Sequence, residues 1–177
     1  LAPDDGKREV TGWHTDYPYL QGVEDRVGAS SNLVLGMQRN TCVSDFTLEN
    51  GATMFKLGSH VEGVGPHTEW GLTSNTMMPG HREQHGLPYS GEEATVIEAP
   101  AGSMMLYDAR NWHCAGINLT GKKRGAMIQA FVPSYIIPFM DTSAAYKAYL
   151  ESDIINEISE RQALQLEHLM LFEIDGP

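Results

Sequence analysis

Short stretches with strand character alternate with turns over most of the chain. Glycine and proline recur in clusters, and runs rich in apolar residues lie between these clusters. The runs cover residues 33–46, 53–57, 95–98, 103–108 and 125–133. Many short strands separated by turns predict a mainly β fold, either a sandwich or a barrel. The last run is apolar nearly throughout, which predicts a strand buried between two layers.

Residues 61–93 form a long segment that is rich in turns and lacks a periodic pattern. A loop of this length in a compact domain is typical of a functional lid or of a disordered segment. Within it, His81 and His85 stand four positions apart, which is the spacing of one helical turn. The neighbouring Gly80 and Gly86 nevertheless predict a loop rather than a helix.

The pattern changes in the C-terminal part of the chain. From residue 143 to residue 172, apolar side chains recur at spacings of three and four, which predicts one helix or two helices broken near Ser152. We expect a helical segment over about 142–172 to support a β core over about 10–133. A helix that binds a partner is the alternative.

Composition narrows the class of protein. A length of 177 residues fits a single domain, and a net charge of −11 without a basic run disfavours a nucleic-acid binder. No stretch approaches the roughly 18 apolar residues that a membrane helix needs. With only Cys42 and Cys114, a disulfide scaffold or a Cys-rich zinc module is not expected. Two free thiols in a reducing compartment, the cytoplasm, are favoured over a single bridge.

A His-x-Asp sequence near the N-terminus is the first candidate for chemistry. In a strand, residues two apart point to the same face, so His14 and Asp16 can present an imidazole and a carboxylate side by side. The pattern by itself is also that of an ordinary surface pair. Its interpretation therefore depends on what the rest of the chain supplies.

The second candidate lies far downstream. His113 follows a strand-like run and a turn, from which a third ligand can be delivered, and Arg124 comes 11 positions later at the start of the apolar run 125–133. An arginine that enters an apolar strand is costly unless an anion meets it, and its forked donors suit a carboxylate. A carboxylate of the protein and a bound organic acid both satisfy this requirement.

Two histidines and one carboxylate can occupy one face of an octahedron and leave three positions open, as in non-haem Fe(II) oxygenases. A 2-oxo acid fills two of these positions, and water and then O2 take the third. The far carboxylate of 2-oxoglutarate needs a cation at the back of the pocket. Arg124 is the residue that we expect to supply it.

At this point the sequence resembles the phytanoyl-CoA dioxygenase family of Fe(II)/2-oxoglutarate oxygenases. The resemblance spans about residues 12–133 and depends on the order and spacing of several pieces. These are His14-Thr15-Asp16, the segment 47–53 followed by Leu57-Gly58-Ser59-His60, and Ala101-Gly102-Ser103 leading through Tyr107-Asp108 to His113 and Arg124. Leu57 stands where the family usually has proline.

The resemblance implies a double-stranded β-helix, a jelly-roll with the metal in its mouth. It implies that His14, Asp16 and His113 bind Fe(II) and that Arg124 binds 2-oxoglutarate as co-substrate. The family's small hydroxyl residue two positions after the distal histidine is Ala115 here, so Thr41 on the neighbouring strand is the expected substitute. Because Asp16 is present, the expected reaction is hydroxylation or a related oxidation rather than halogenation, for which the acid is replaced by Gly or Ala.

Relatives carry strands and helices ahead of the His-x-Asp sequence, whereas 13 residues precede His14 here. A barrel truncated in this way would have an unpaired sheet edge. We therefore expect that N-terminal sequence is missing from the chain or that a second copy completes the sheet as a homo-oligomer.

Several other residues are weaker candidates. Alternation places Met37, Arg39 and Thr41 on one face of their strand, so Arg39 would contact an acidic substrate if that face lines the barrel. Trp112, beside His113, is a candidate substrate contact or part of the wall. A second metal site is not expected at four of the other histidines, which are His60, His67, His81 and His85.

Three interpretations stay open. The leading one is a 2-oxoglutarate-dependent hydroxylase that acts with O2 on a small or medium-sized organic molecule. The second is an Fe(II) oxygenase with the same ligands that does not use 2-oxoglutarate, and the third is a non-catalytic jelly-roll binding module. The identity of the substrate has no signature in the sequence.

Overall fold

The computed structural model describes residues 1–16, 34–62, 64–73, 80–133 and 143–167. The chain divides into two compact units, Leu1–Phe131 and Val132–Pro177. All described strands lie in the first unit, and they form two antiparallel sheets of three strands each.

The first sheet consists of β1 (Met37–Cys42), β4 (Met104–Asp108) and β6 (Ala126–Phe131) in the order β4-β1-β6. Along β1, the residues alternate between partly and fully buried. The fully buried set is Gln38, Asn40 and Cys42. Because opposed residues of antiparallel strands share a face, the Cα partner of Gln38 on β4, Tyr107, lies on this buried face as well.

The second sheet consists of β2 (Thr53–Phe55), β3 (Thr95–Val96) and β5 (His113–Ala115) in the order β3-β2-β5. Isolated β-bridges continue this sheet beyond β5. His14 pairs with His113 of β5, and the preceding residue, Trp13, pairs with Thr73. Alternation along β5 turns His113 toward the first sheet, where its ring meets that of Tyr107 with 5.1 Å between centroids. The next residue, Cys114, points to the other side of the second sheet.

Two apolar clusters of described residues stabilise this architecture. On the far side of the second sheet, Cys114 and Met54 pack with three tryptophans, which are Trp13, Trp70 and Trp112. Between the sheets, Cys42, Phe46 and Ala52 form a second cluster with Met105 against it. Both cysteines are free and buried, as expected. The expected mainly β jelly-roll with C-terminal helices is confirmed.

The prediction that the last strand is buried between two layers was wrong. β6 is the edge of the first sheet, and its apolar side chains are largely exposed within the described part of the molecule, with 64% of the Ile128 surface accessible. A run of apolar residues indicates a strand but does not determine its place in the sheet. That place depends on which strands pair with it, and β6 pairs with β1 alone among the described strands.

The loop predicted at the paired histidines was also wrong, because His81–His85 form a short helix, α1. The Glu9 carboxylate accepts hydrogen bonds from the backbone N–H groups of Gly80 and Arg82, which satisfies donors at the start of the helix. The Arg82 side chain donates in turn to both carboxylate oxygens of Asp4. Contacts with a segment more than 70 residues away therefore outweigh the local preference of the flanking glycines.

In the second unit, α2 (Ser143–Leu150) and α3 (Glu160–Glu167) are separated by a 3-10 helix over Asp153–Asn156. The predicted break near Ser152 is therefore present, and the remainder of the predicted helical segment, 168–172, lies outside the described residues. None of the helices described is both long enough and apolar enough to cross a bilayer.

A pair of leucines tests which surfaces are buried. Leu72 is 0% exposed and Leu106, on the outer face of the first sheet, is 65% exposed. We expect Leu72→Ala to lower the free energy of unfolding by about 2–5 kcal/mol, and Leu106→Ala by less than about 0.5 kcal/mol. Urea unfolding of both variants measures the difference. An equal loss in the two variants would contradict this assignment of the outer face to solvent.

Candidate metal centre and co-substrate site

His14 and His113 are brought together by the backbone of the second sheet. Each residue donates its N–H to the carbonyl of the other at 3.0 Å, which makes them a hydrogen-bonded antiparallel pair. Their side chains therefore lie on the same face, with ring centroids 4.3 Å apart. The local sequence explains why His113 begins a strand, since β5 follows a turn. It does not explain the pairing with His14, which lies near the other end of the unit.

Asp16 completes the cluster. Its Oδ1 lies 3.7 Å from Nε2 of His14 and its Oδ2 lies 3.4 Å from Nε2 of His113. One ligand atom from each of the three residues falls within 4.8 Å of the others. Two ligand atoms that are each about 2.1 Å from a metal ion at a right angle are roughly 3 Å apart, so this donor set fits a single ion.

Backbone carbonyls fix both imidazole rings. Nδ1 of His14 donates to the carbonyl of Gly12, and Nδ1 of His113 donates to the carbonyl of Asn111, each at 2.8 Å. A proton on Nδ1 leaves Nε2 as the free lone pair, and Nε2 is the atom that faces Asp16 in both rings. A Cβ on Gly12 would lie 2.7 Å from the Leu72 carbonyl oxygen, so glycine is required at this close approach.

The charges of the cluster respond to burial and to one another. Burial, and after it the charge of His113, lowers the pKa of His14 below its ordinary value of 6.5. Burial raises the pKa of Asp16, but the neighbouring His113 and His14 imidazoles and the Gln38 amide outweigh this effect and bring that pKa below 3.8. At neutral pH the cluster therefore presents a neutral His14 and an ionised Asp16, the forms that bind a metal ion.

The lowered pKa of His14 predicts a pH dependence of stability. Below about pH 6.5 the unfolded chain takes up a proton that the folded imidazole resists, so the apo protein loses stability as the pH falls, until the pH lies below the folded-state pKa. Urea unfolding between about pH 7.5 and pH 5 should show this loss, and His14→Gln should reduce the slope. Equal slopes in the parent and the variant would contradict the prediction.

The buried face of β1 forms a polar surface next to the cluster. The Gln38 amide lies beside Asp16, and the Asn40 side chain lies beside the hydroxyl of Tyr107, whose pKa is raised by burial and by the charge of Asp16. The Phe55 ring stacks on His113 with 5.7 Å between centroids. Three buried oxygens here have no hydrogen-bond partner in the described part of the chain; these are Oδ2 of Asp16, Oε1 of Gln38 and Oδ1 of Asn40.

Arg124 lies at the other end of this surface. Its guanidinium is over the Phe46 ring, 4.0 Å from the centroid, and it is close enough to Cys42 for their charges to interact. The residue is 7% exposed, and burial lowers the pKa of its guanidinium. Its Nε lacks a hydrogen-bond partner, and no carboxylate pairs with the guanidinium among the described residues.

Two of the weaker candidates do not reach the site. Arg39 and Thr41 lie on the face of β1 opposite Gln38 and Asn40, and the Arg39 side chain binds that of its cross-strand neighbour Gln129. The expected contacts of Arg39 with substrate and of Thr41 with the co-substrate are therefore not formed by this strand. The residues that do face the cluster, Gln38 and Asn40, belong to the alternate set of the same strand, for which no role at the site was predicted.

Trp112 belongs to the core rather than to a substrate pocket. It is 0% exposed, its indole N–H donates to the Val64 carbonyl, and Lys56 lies over its ring.

The four histidines His60, His67, His81 and His85 were not expected to form a second metal site. Among the described residues, the single group able to hold an ion is the cluster of His14, Asp16 and His113.

The part of the chain that matches a known protein family contains the candidate site residues. The family model for Phytanoyl-CoA dioxygenase (PhyH) matches residues 2–126, which include the cluster and Arg124. The chain belongs to this family. The phytanoyl-CoA dioxygenase family uses Fe(II) and 2-oxoglutarate. In the described part of the chain, Oδ2 of Asp16 is buried without a hydrogen-bond partner, which fits a metal ion, and the Arg124 guanidinium has no carboxylate partner, which fits the carboxylate of 2-oxoglutarate.

The curated relatives are considerably longer than this chain. An uncharacterized protein of Mycobacterium tuberculosis, Rv1501, is 29% identical over 124 residues, which are 70% of this chain and 35% of that protein. The dioxygenase af480 of Aspergillus fumigatus is 27% identical over 130 residues, or 72% of this chain and 35% of that protein. The chain thus spans about a third of the length of these relatives.

Solved structures are similar at the level of the fold alone. The apo form of the non-heme monooxygenase ThoJ is 19% identical, with a TM-score of 0.48. The match covers 75% of this chain and 44% of the ThoJ chain. The epimerase SnoN, solved with Fe3+, alpha ketoglutarate and nogalamycin RO, is 18% identical, with a TM-score of 0.47. The match covers 75% of this chain and 46% of the SnoN chain.

Proposed function

We propose that the protein is an Fe(II)- and 2-oxoglutarate-dependent dioxygenase that hydroxylates, or otherwise oxidises, a small or medium-sized organic substrate. His14, Asp16 and His113 would hold the iron, and Arg124 would bind the far carboxylate of 2-oxoglutarate. When bound, the iron supplies the oxidative chemistry that couples O2 to the decarboxylation of 2-oxoglutarate to succinate and CO2.

The observation that carries this proposal is the guanidinium of Arg124, buried without a carboxylate partner among the residues described. A buried charge without a counter-ion is strongly unfavourable, so such a residue indicates a bound anion. Arg124 lies near Cys42 and the cluster lies near Gln38, so the two stand toward opposite ends of the buried face of β1. A ligand with an anionic group at one end and a metal-chelating group at the other fits this surface.

The side chains of this chain would position the co-substrate rather than react. Arg124 would donate forked hydrogen bonds to a carboxylate. Asn40, halfway between Gln38 and Cys42 on the buried face of β1, would hydrogen-bond along its length, because the amide of an asparagine offers either a donor or an acceptor. The rings of Phe55 and Tyr107 would keep water from the imidazole of His113.

The alternatives make different demands on the same residues. A halogenase of this fold needs Gly or Ala in place of the acid, and Asp16 occupies that position. An Fe(II) oxygenase that does not use a 2-oxo acid has no need of the Arg124 guanidinium. A non-catalytic binding module would have no reason to leave Oδ2 of Asp16 and both Nε2 atoms facing one point.

The direct test is the conversion of 2-oxoglutarate to succinate by the purified chain with Fe(II) under air. We expect succinate formation that requires Fe(II), O2 and the 2-oxo acid together, and that rises when a metabolite extract supplies the substrate. Oxidation of a substrate that proceeds without 2-oxoglutarate would favour the second type of oxygenase. Absence of Fe(II) binding would favour the binding module.

A further inference from the structure

We propose that the buried ion pair between Asp108 and Arg110 positions two of the candidate ligands of the metal centre. It would hold one turn of the chain, residues 108–111, in the shape that places both Asp16 and His113. The inference rests on the proposed function in one respect, which is that these residues bind a metal ion. The pair itself touches neither metal nor substrate in this proposal.

The turn between β4 and β5 is built around the Asp108 side chain. Its Oδ1 accepts hydrogen bonds from the backbone N–H and from Nε of Arg110, each at 2.9 Å, and its Oδ2 accepts one from a terminal guanidinium nitrogen at 2.6 Å. The backbone N–H of Asn111 donates to the carbonyl of Asp108 at 3.0 Å. The two charged side chains are only 14% and 8% exposed, so solvent screens their interaction little.

Two carbonyls of this one turn reach two different candidate ligands. The Ala109 carbonyl accepts the backbone N–H of Asp16 at 3.0 Å, and the Asn111 carbonyl accepts Nδ1–H of His113 at 2.8 Å. Asp16 and His113 come from opposite ends of the first unit, so their separation is set at the turn that both contact. His14 provides a comparison within the site, because its Nδ1 is held by Gly12, which is not part of the turn.

The Asp108–Arg110 pair would make this turn rigid. A bidentate arginine–carboxylate pair fixes direction as well as distance, and here both partners and the backbone between them lie within three residues. Without the pair, the Asn111 carbonyl loses its fixed direction, and His113 loses the hydrogen bond that keeps its proton on Nδ1. Partners of this kind typically change metal affinity by about 10- to 100-fold when they are removed.

The test uses Arg110→Met and the double variant Asp108→Leu/Arg110→Met. The single variant leaves the Asp108 carboxylate buried without its guanidinium partner and is expected to lose stability, whereas the double variant removes both charges of the pair. In the apo protein, nitrogen NMR of the imidazoles should show His113 protonated on Nδ1 in the parent and distributed over both nitrogens in the double variant. His14 should stay protonated on Nδ1 in both. Co(II) affinity should fall about 10- to 100-fold in the double variant.

A matched control is available at a second bidentate pair among the described residues of the first unit, Arg82 with Asp4, which is similarly buried. Asp4→Leu/Arg82→Met should leave the His113 proton on Nδ1 and the Co(II) affinity unchanged. A folded Asp108→Leu/Arg110→Met protein with the His113 tautomer and Co(II) affinity of the parent would overturn the proposal. If the parent itself binds no Co(II), the proposed function fails, while the His113 tautomer in the apo protein still tests the turn.

Discussion

Replacing His113 by alanine is expected to abolish Fe(II)-dependent succinate formation. The change removes one of three proposed ligands, and the metal affinity should fall by more than about 100-fold, because removing only an outer partner of a ligand already costs about 10- to 100-fold. Asp16→Ala should have the same effect, since the carboxylate is the one anionic member of the cluster. Titration of the apo protein with Fe(II) or Co(II), followed by the succinate assay, measures both consequences.

His85→Ala is the control for this prediction. His85 lies in α1, is exposed and is not part of the cluster, so its loss should change neither metal affinity nor succinate formation. Undiminished turnover in His113→Ala would refute the assignment of the ligands. Equal losses in His113→Ala and His85→Ala would mean that the assay reports general damage to the protein rather than loss of a ligand.

The second large effect is expected at Arg124, where co-substrate binding should be lost without a loss of stability. Arg124→Met keeps most of the volume of the side chain and removes its charge. Loss of one partner of a buried charge pair costs about 2–5 kcal/mol, so the affinity for 2-oxoglutarate should fall by a factor of roughly 30 to several thousand. The apo protein should become no less stable, since the variant no longer buries a guanidinium that lacks a carboxylate partner among the described residues.

Thermal unfolding with and without 2-oxoglutarate separates the two effects. The co-substrate should raise the melting temperature of the metal-loaded parent, because it binds the folded state alone, and it should not do so for Arg124→Met. Arg39→Met is the matched control, because Arg39 lies on the opposite face of β1 and binds Gln129. An unchanged affinity in Arg124→Met, or an equal loss in Arg39→Met, would contradict a role for Arg124 in binding the co-substrate.

The strand β1 shows where sequence reasoning reached its limit. A period of two divides the strand correctly into two sets, Arg39 with Thr41 and Gln38 with Asn40. Nothing local states which set faces the second sheet, because both contain polar residues. Packing decides this, since the side that meets Asp16 and Tyr107 is the one carrying Gln38 and Asn40. Each set also has one apolar residue, Cys42 in the buried set and Met37 in the other, so the local sequence does not choose between the faces.

The errors at β6 and α1 have the same origin. Apolar composition indicated a strand over 126–131 but not its position at the edge of the sheet that the described strands form. Glycines on either side of His81–His85 indicated a loop, but the Glu9 carboxylate supplies the start of a helix from a distant segment. In both places the sequence describes the preference of a short segment, whereas the outcome depends on what that segment touches.

What the sequence determined by itself is the chemistry available to this protein. Residue types and order give two imidazoles, one acid and a distant arginine, separated by strands and turns, because ligand chemistry and alternation are local properties. The tertiary structure decided which atoms meet. It pairs His14 with His113 across the second sheet, turns Nε2 of both rings toward Asp16, and buries Arg124 without a carboxylate partner in the described chain. These are contacts between segments about 100 residues apart, and only the packing of the two sheets brings them together.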